Sequence, residues 1–363
     1  MMREIRTSVT TTVILLICLG VVMIYSSSGI YALQELGDST YFLKRHLIFL
    51  CVGIVLTLIV MAMNYQELRK WAKPMLGIAI VMLVLVLIPG IGKASFGARR
   101  WFQLGPLNFQ PSEFTKVALM IYTADFLARK QNKIGNFWQG FLPLMMVLGV
   151  VCLLIIKQPD FGSSVLMAMI VLIMMFIAGA RPGHMGLVVL AALPFMYLLI
   201  ARVPYRLARI MAFLDPWEDS RGIGFQLAQS QIAFGSGGFW GVGLGKSVQK
   251  LFYLPAAHTD FILSIIGEEL GFVGAAMVII LFMLLIFQGA RIAKRTVDPF
   301  GYFLSIGIVA MIGLQVVINV GVSIGALPTK GLPLPFISYG GSALVFNLMA
   351  LGLLLNISRT QDL

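Results

Sequence analysis

The chain carries little charge. Of its 363 residues only 12% are Asp, Glu, Lys or Arg, while 59% are hydrophobic and the mean hydropathy is +0.93. So few charges cannot cover a water-exposed surface of this size, which excludes a soluble globular protein. Histidine and cysteine are scarce, at three each. His46, His184 and His258 lie far apart and no HExxH or CxxC spacing exists, so a protein-built transition-metal site is not expected. Cys18, Cys51 and Cys152 all fall in apolar runs, read as small buried hydrophobes and imply no disulfide framework. Basic and aromatic residues are not interleaved as in a nucleic-acid motif, so the net charge of +12 points to no nucleic acid.

What is present is a series of apolar runs near 20 residues, enough to span a hydrocarbon core of about 30 Å as helix. About ten are expected, near 9–25, 46–63, 74–89, 111–128, 138–156, 163–179, 185–201, 261–288, 300–323 and 341–357. The runs are continuous, not alternating, which excludes a β-barrel. The expected fold is an all-α integral membrane protein of about ten transmembrane helices, a single domain over 1–363 with one long extracytoplasmic loop at about 202–260. Arg3 and Arg6 precede the first run and Ser26-Ser27-Ser28-Gly29 follows it, as in a signal peptide. The run is long for that, so a retained signal anchor is expected. An even number of spans puts both termini on one side. The short loops on that side hold Arg69, Lys70 and Lys73; Arg129, Lys130 and Lys133; Arg181; and Arg291, Lys294 and Arg295, which marks it as cytoplasmic. The start of the long loop, Arg202 to Arg209, reads as an amphipathic interfacial helix.

Several polar groups stand where they are costly. Asp260 lies where the long loop runs into an apolar span, and a carboxylate there needs a partner or a task. Lys93, Arg99, Arg100, Lys157 and Lys330 sit on the face that should be poor in cations and could capture phosphate; salt bridging or attraction to anionic membrane lipids would explain them equally. Pro111, Ser112 and Glu113 suit the first turn of a helix, and Glu113 with Lys116 has i, i+3 spacing for an ion pair about one turn into the membrane. Asp160 reads as the cap of the sixth span, or as a metal ligand beside Asp260. Gly241 to Ser247 resembles a phosphate loop but has Trp240 where glycine is required, so ATP is excluded and the glycines are assigned to tight turns or close approach to lipid. Glu268 and Glu269 could relay protons, or anchor the bundle by pairing with Lys116 or an Arg. Three prolines between Pro328 and Pro335 preclude regular helix, so that stretch should line a re-entrant wall, where Ser338 and Tyr339 could bind substrate or free backbone groups.

Taken in order, Gly97-Ala98-Arg99-Arg100-Trp101, Gln110-Pro111-Ser112-Glu113-Phe114, Gln158-Pro159-Asp160-Phe161-Gly162, His258-Thr259-Asp260-Phe261-Ile262, Gly267-Glu268-Glu269-Leu270-Gly271 and Leu334 to Ser342 resemble the SEDS family (shape, elongation, division and sporulation), the FtsW/RodA/SpoVE membrane proteins, over nearly the whole chain. Gln249-Lys250, Tyr253-Leu254-Pro255 and Pro328-Thr329-Lys330-Gly331 are most similar to its division branch. The resemblance implies an inverting peptidoglycan glycosyltransferase that polymerises lipid II at the outer face of the bacterial cytoplasmic membrane. Asp260 matches the family's essential aspartate and would be the general base. The implied substrate contacts are Arg99, Arg100, Trp101, Glu113, Lys116, Lys157, Asp160, His258, Thr259, Lys330, Ser338 and Tyr339. No organic cofactor is expected; a divalent cation, Mg or Mn, could be held at Asp260 and Asp160. Expected partners are a class B penicillin-binding protein acting as transpeptidase and other divisome proteins. A lipid II flippase and a non-catalytic scaffold recruiting the transpeptidase are the alternatives.

Overall fold

The structure, a computed structural model, describes residues 2–95, 98–105, 107–202, 204–218, 222, 224–329 and 331–361. Its helices are α1 (Met2–Leu36), α2 (Tyr41–Ala62), α3 (Leu68–Leu85), α4 (Pro111–Lys130), α5 (Leu142–Lys157), α6 (Phe161–Ile177), α7 (Pro182–Ala201), α8 (Pro204–Leu214), α9 (Phe225–Gly237), α10 (Ile262–Arg295), α11 (Pro299–Ser323) and α12 (Gly341–Thr360). Ten of them coincide with the ten expected spans. Six are long and apolar enough to cross a membrane by length and composition alone, with α5 counted together with the preceding π turn Phe137–Phe141; α6 and α7 are shorter apolar helices. The chain is therefore a multi-pass helical membrane protein.

Local chemistry sets the helix ends. Asp160 caps α6, accepting from Ser163 N at 3.2 Å, and Asp298 caps α11, accepting from Gly301 N at 2.9 Å, with Pro299 in its first turn. Basic residues close α4, α10 and α12, where they complement the helix dipole. α12 lies at the centre of the bundle. Its Asn356 Nδ2 donates to Val60 O and Met63 O at 2.6 and 2.5 Å, satisfying carbonyls at the end of α2. Cys18 and Cys51 are exposed outward, which corrects their reading as buried: they face the apolar solvent, not the core.

Two parts of the non-helical sequence have more structure than expected. Within 90–110, β1 (Lys93–Ser95), β2 (Ala98–Leu104) and β3 (Leu107–Phe109) form a small antiparallel sheet, pairing Lys93 with Trp101 and Phe102 with Phe109. The long loop contains not only α8, which the amphipathic pattern anticipated, but also α9. The C-terminal end of α9 and the glycines after it meet α10 well below its start, so this part of the loop re-enters the bundle.

The meeting point is a break in α10. Gly271 has φ 67° and ψ −165°, a conformation open to glycine. It lies nine residues, about 13 Å of helix, beyond Ile262. In an unbroken helix Phe272 N and Val273 N would bond to Glu268 O and Glu269 O. Here Phe272 N donates to Gly238 O (2.9 Å) and Val273 N to Phe239 O (3.3 Å), while Glu268 O accepts from Val242 N (2.9 Å) and Glu269 O from Gly243 N (3.0 Å). Each bond lost by the helix is replaced by one from the loop, as burial away from water requires. The glycines assigned to close approach to lipid instead approach this backbone; a Cβ at Gly241 would overlap Glu269 O.

A Gly271→Ala change forces a strained φ and places a Cβ against Gly241 N and Phe239 O. The expected outcome is a loss of about 1–3 kcal/mol or more, read as a lower melting temperature of the purified protein in detergent.

Candidate active site

The loop that leaves the break is fixed by two adjacent carboxylates. Glu268 accepts from Ser247 Oγ, from Val248 N at 2.9 Å and from Gln249 N at 3.4 Å, so it caps the turn at 247–249. Glu269 accepts from Lys250 Nζ at 2.7 Å and from Ser26 Oγ of α1 at 2.7 Å. Both glutamates and Lys250 are buried. They anchor the structure, but their partners are Lys250 and loop backbone, not Lys116 or an Arg. The bond from Ser26 to Glu269 joins α1 to α10.

From Lys250 the chain turns back to Asp260. Leu254 N bonds to Gln249 O at 2.8 Å, and both Thr259 N and Thr259 Oγ1 donate to Ala256 O at 3.0 Å. Tyr339 N donates to His258 O at 2.9 Å, joining this turn to the proline-rich stretch. Asn319 Nδ2 of α11 donates to Asp260 O and to Leu332 O, both at 2.9 Å. A Cβ at Gly331 would stand 3.2 Å from Asp260 Oδ2, so the 331–332 backbone borders the carboxylate. Lys330 lies outside the described residues.

Asp260 retains partial exposure, yet the protein around it drives its carboxyl from the usual 3.8 up to about 7 by desolvation, against the opposing pull of the Arg209 guanidinium on α8. His258, two residues away, is lowered by burial to about 4 and is neutral at physiological pH. Its ring sits among Phe42 (4.4 Å), Tyr339 (5.7 Å) and Tyr31 (6.1 Å). Burial also raises the Tyr339 phenol, which stays protonated. The result is a carboxylate that titrates near neutrality beside an uncharged aromatic cluster.

The other residues singled out from sequence are distributed as follows. Arg99 and Lys157 are exposed, and Trp101 is half-buried. Arg100 donates to Gln158 O at 2.9 Å and to Pro159 O, bracing the sheet against the α5–α6 turn. Asp160 is committed to Ser163 and, at 3.4 Å, to Gln110 Nε2. Lys116 and Glu113 pair at 2.8 Å, both buried. Ser338 Oγ accepts from Leu334 N at 2.9 Å, satisfying free backbone as anticipated. Among the described residues no group of three or more His, Cys, Asp or Glu stands where it could hold a metal ion. Asn319 was missed, although an amide in an apolar span is a signal worth following. In the sequence Arg209 stands out only as the end of the amphipathic segment, with nothing to link it to Asp260.

Fold and site define a polytopic membrane protein with a partly exposed, loop-borne carboxylate just before the start of a broken helix. A family model described as cell cycle protein, FtsW/RodA/SpoVE, matches residues 6–363, and the chain belongs to that family. A probable peptidoglycan glycosyltransferase FtsW of Geobacter sulfurreducens is 48% identical over 94% of this chain and 92% of its own length. Stage V sporulation protein E of Bacillus subtilis is 44% identical, over 95% and 94%. Among solved structures, a chain of a peptidoglycan synthase complex that coordinates polymerization and crosslinking matches with TM-score 0.80 and 31% identity over 97% of both chains. The rod shape determining protein RodA of Thermus thermophilus matches with TM-score 0.73 and 28% identity, over 98% and 97%.

Lys250 and Glu269 are 4% and 0% exposed, so removing one charge strands the other. Glu269→Ala should cost about 3–5 kcal/mol, and the Lys250→Met/Glu269→Leu pair should recover most of it. Thermal unfolding of the two single variants and the double variant measures the coupling.

Proposed function

We propose that this protein is a peptidoglycan glycosyltransferase that polymerises lipid II at the outer face of the bacterial cytoplasmic membrane, with Asp260 as general base. The observation that carries the reading is a single carboxylate raised to about 7 on the loop face, in a chain whose relatives are named for that activity. The acceptor's sugar hydroxyl must lose a proton as its oxygen bonds to the donor's anomeric carbon, while the bond from that carbon to the pyrophosphate breaks. Asp260 takes the proton, and undecaprenyl pyrophosphate leaves with the electron pair. One displacement inverts the donor centre, so one base suffices and no second carboxylate is required. A base with a pKa near the working pH combines a large unprotonated fraction with a strong pull on the proton.

Charge on the leaving pyrophosphate falls to cations of the same face: Arg209, which already acts on Asp260, the exposed Arg99 and Lys157, and Lys330. Asp260 would be the protein's ligand for a divalent cation, Mg or Mn, which would supply charge stabilisation for the leaving pyrophosphate. Asp160 is taken up as a cap and is not assigned to it. The basic short loops support a cytoplasmic side for both termini. A division role, with a class B penicillin-binding protein as transpeptidase and other divisome partners, follows the naming of the relatives and the solved synthase complex. Flipping of lipid II fits less well, because the cations within the bundle are committed, Lys116 to Glu113 and Lys250 to Glu269.

The test is polymerisation of purified lipid II by the reconstituted protein with its cognate transpeptidase, whose own active site is blocked. Asp260→Ala should lose about 100- to 10,000-fold in rate while remaining folded and partner-bound. Equal strand synthesis by Asp260→Ala would remove Asp260 as base. Absence of strands from the wild type, with lipid II crossing liposomes, would replace the polymerase with a flippase.

The pH dependence has a definite sign. Burial favours the neutral acid, and only the anion can accept the proton. The polymerisation kcat/KM should therefore rise with pH up to about 7 and level off above it. An acid limb near the ordinary aspartate value would contradict the assignment.

A further inference from the structure

The face opposite Asp260 carries a cleft that polymerisation does not use. α2 begins beside His258, with Phe42 at 4.4 Å, and runs about 33 Å to Ala62. Beyond its end, a cleft of about 690 Å3 opens between the start of α3, the end of α4 and the start of α11. Its charged lining is Glu67, Arg69, Lys70, Lys73, Asp125, Arg129 and Asp298.

Two of the three carboxylates of this cleft are already spent, and the third, Glu67, is exposed at the rim, so four cations face one free acid. Asp125 is 4% exposed and accepts from Arg69 Nε at 3.0 Å and from Arg129 Nε and Nη2 at 3.0 and 2.7 Å. Asp298 caps α11 and accepts from Tyr65 OH at 3.3 Å. The cations are not. Arg69 and Arg129, 44% and 38% exposed, are held side by side on one buried carboxylate, and each keeps N–H groups beyond those bonds. Lys70 and Lys73 are exposed and form no salt bridge among the described residues. A basic loop would be enough to orient the chain. It would not require a concave site, nor an arginine pair clamped by a buried aspartate. Such a pair is preorganised for the oxygens of a phosphate. Trp71, 57% exposed between these cations, sets the depth, because exposed tryptophan collects at the head-group level of a bilayer.

We propose that the cleft lined by Arg69, Lys70, Lys73 and Arg129 is a phosphate site that takes the head group of an anionic phospholipid from the leaflet opposite Asp260. The two arginines grip the phosphodiester, the lysines add charge at the rim, and the bound lipid ties α3, α4 and α11 together at that face. This site is independent of the proposed polymerase reading.

The test uses the full chain in nanodiscs of phosphatidylcholine with or without phosphatidylglycerol, followed by native mass spectrometry of retained lipid. Lys70→Gln/Lys73→Gln is compared with Lys130→Gln/Lys133→Gln, which removes the same charge from the same face outside the cleft. No side-chain hydrogen bond or salt bridge of either pair is present among the described residues, so all forms should melt alike in pure phosphatidylcholine. The expected result is retained phosphatidylglycerol on wild type and control, and about ten-fold less or lower on the cleft variant. Equal retention on all three, or equal loss from both variants, overturns the site in favour of diffuse surface attraction. Stabilisation of the wild type by inorganic phosphate, in phosphatidylcholine alone and as large as that by phosphatidylglycerol, overturns the lipid as occupant and assigns a free phosphorylated compound.

Discussion

The site depends on the exchange of backbone hydrogen bonds at the Gly271 break. A membrane helix cannot leave peptide groups unpaired, and a loop cannot enter the bundle without partners for its own. Here each solves the other's problem: Glu268 O and Glu269 O accept from Val242 N and Gly243 N, and Gly238 O and Phe239 O receive Phe272 N and Val273 N. The two carboxylates at the same level then bind the next part of the loop, Glu268 through the 247–249 turn and Glu269 through Lys250. The turn bearing Asp260 is thus built on a helix interior, not suspended from a flexible connection. Ser230 Oγ of α9, 2.6 Å from both Ser264 Oγ and Ser323 O, closes the arrangement from the other side.

That rigidity explains how backbone strain persists near the carboxylate. Phe252, Ala256 and Phe336 have φ of 67°, 57° and 65°, a region that side chains with a Cβ seldom enter. Strain of this kind survives only where the surroundings over-determine it. Phe252 follows the Lys250 anchor by two residues, Ala256 O accepts both bonds from Thr259, and Phe336 lies in the stretch that Tyr339 N ties to His258 O. The strained residues alternate with the anchors, so the site is held in shape by its surroundings before any substrate arrives.

The sequence shows its helices far better than its site geometry, for physical reasons. A run of 20 apolar residues has one outcome in a bilayer, so all ten spans could be read directly. Local spacing also carried the Glu113–Lys116 pair and the Asp160 cap, because i, i+3 neighbours and N-caps depend only on the helix itself. The break at Gly271 was hidden, since apolar residues continue through it and hydropathy does not register φ. The partner of Glu269 was hidden because Lys250 reaches it from a loop, and Ser26 was weighed as part of a cleavage region instead of as a ligand. The sheet at 93–109 escaped notice because its strands are three to seven residues long, too short for a periodic signal.

Cations on this chain do different work according to depth, and counting them by loop obscures that. Lys116 and Lys250 are buried and neutralised by neighbours, so they stabilise the bundle and are closed to an incoming anion. Arg209 acts on Asp260 at a distance, opposing the desolvation that would otherwise drive the carboxyl still higher. For the proposed role of general base the balance matters, because a base pushed far above neutrality would stay protonated and one left at the ordinary value would pull weakly on a hydroxyl proton. Moving Arg209 closer would convert Asp260 into a salt-bridge partner; removing it would leave burial unopposed. α8 is amphipathic, so the setting of that carboxyl is tied to where this helix rests.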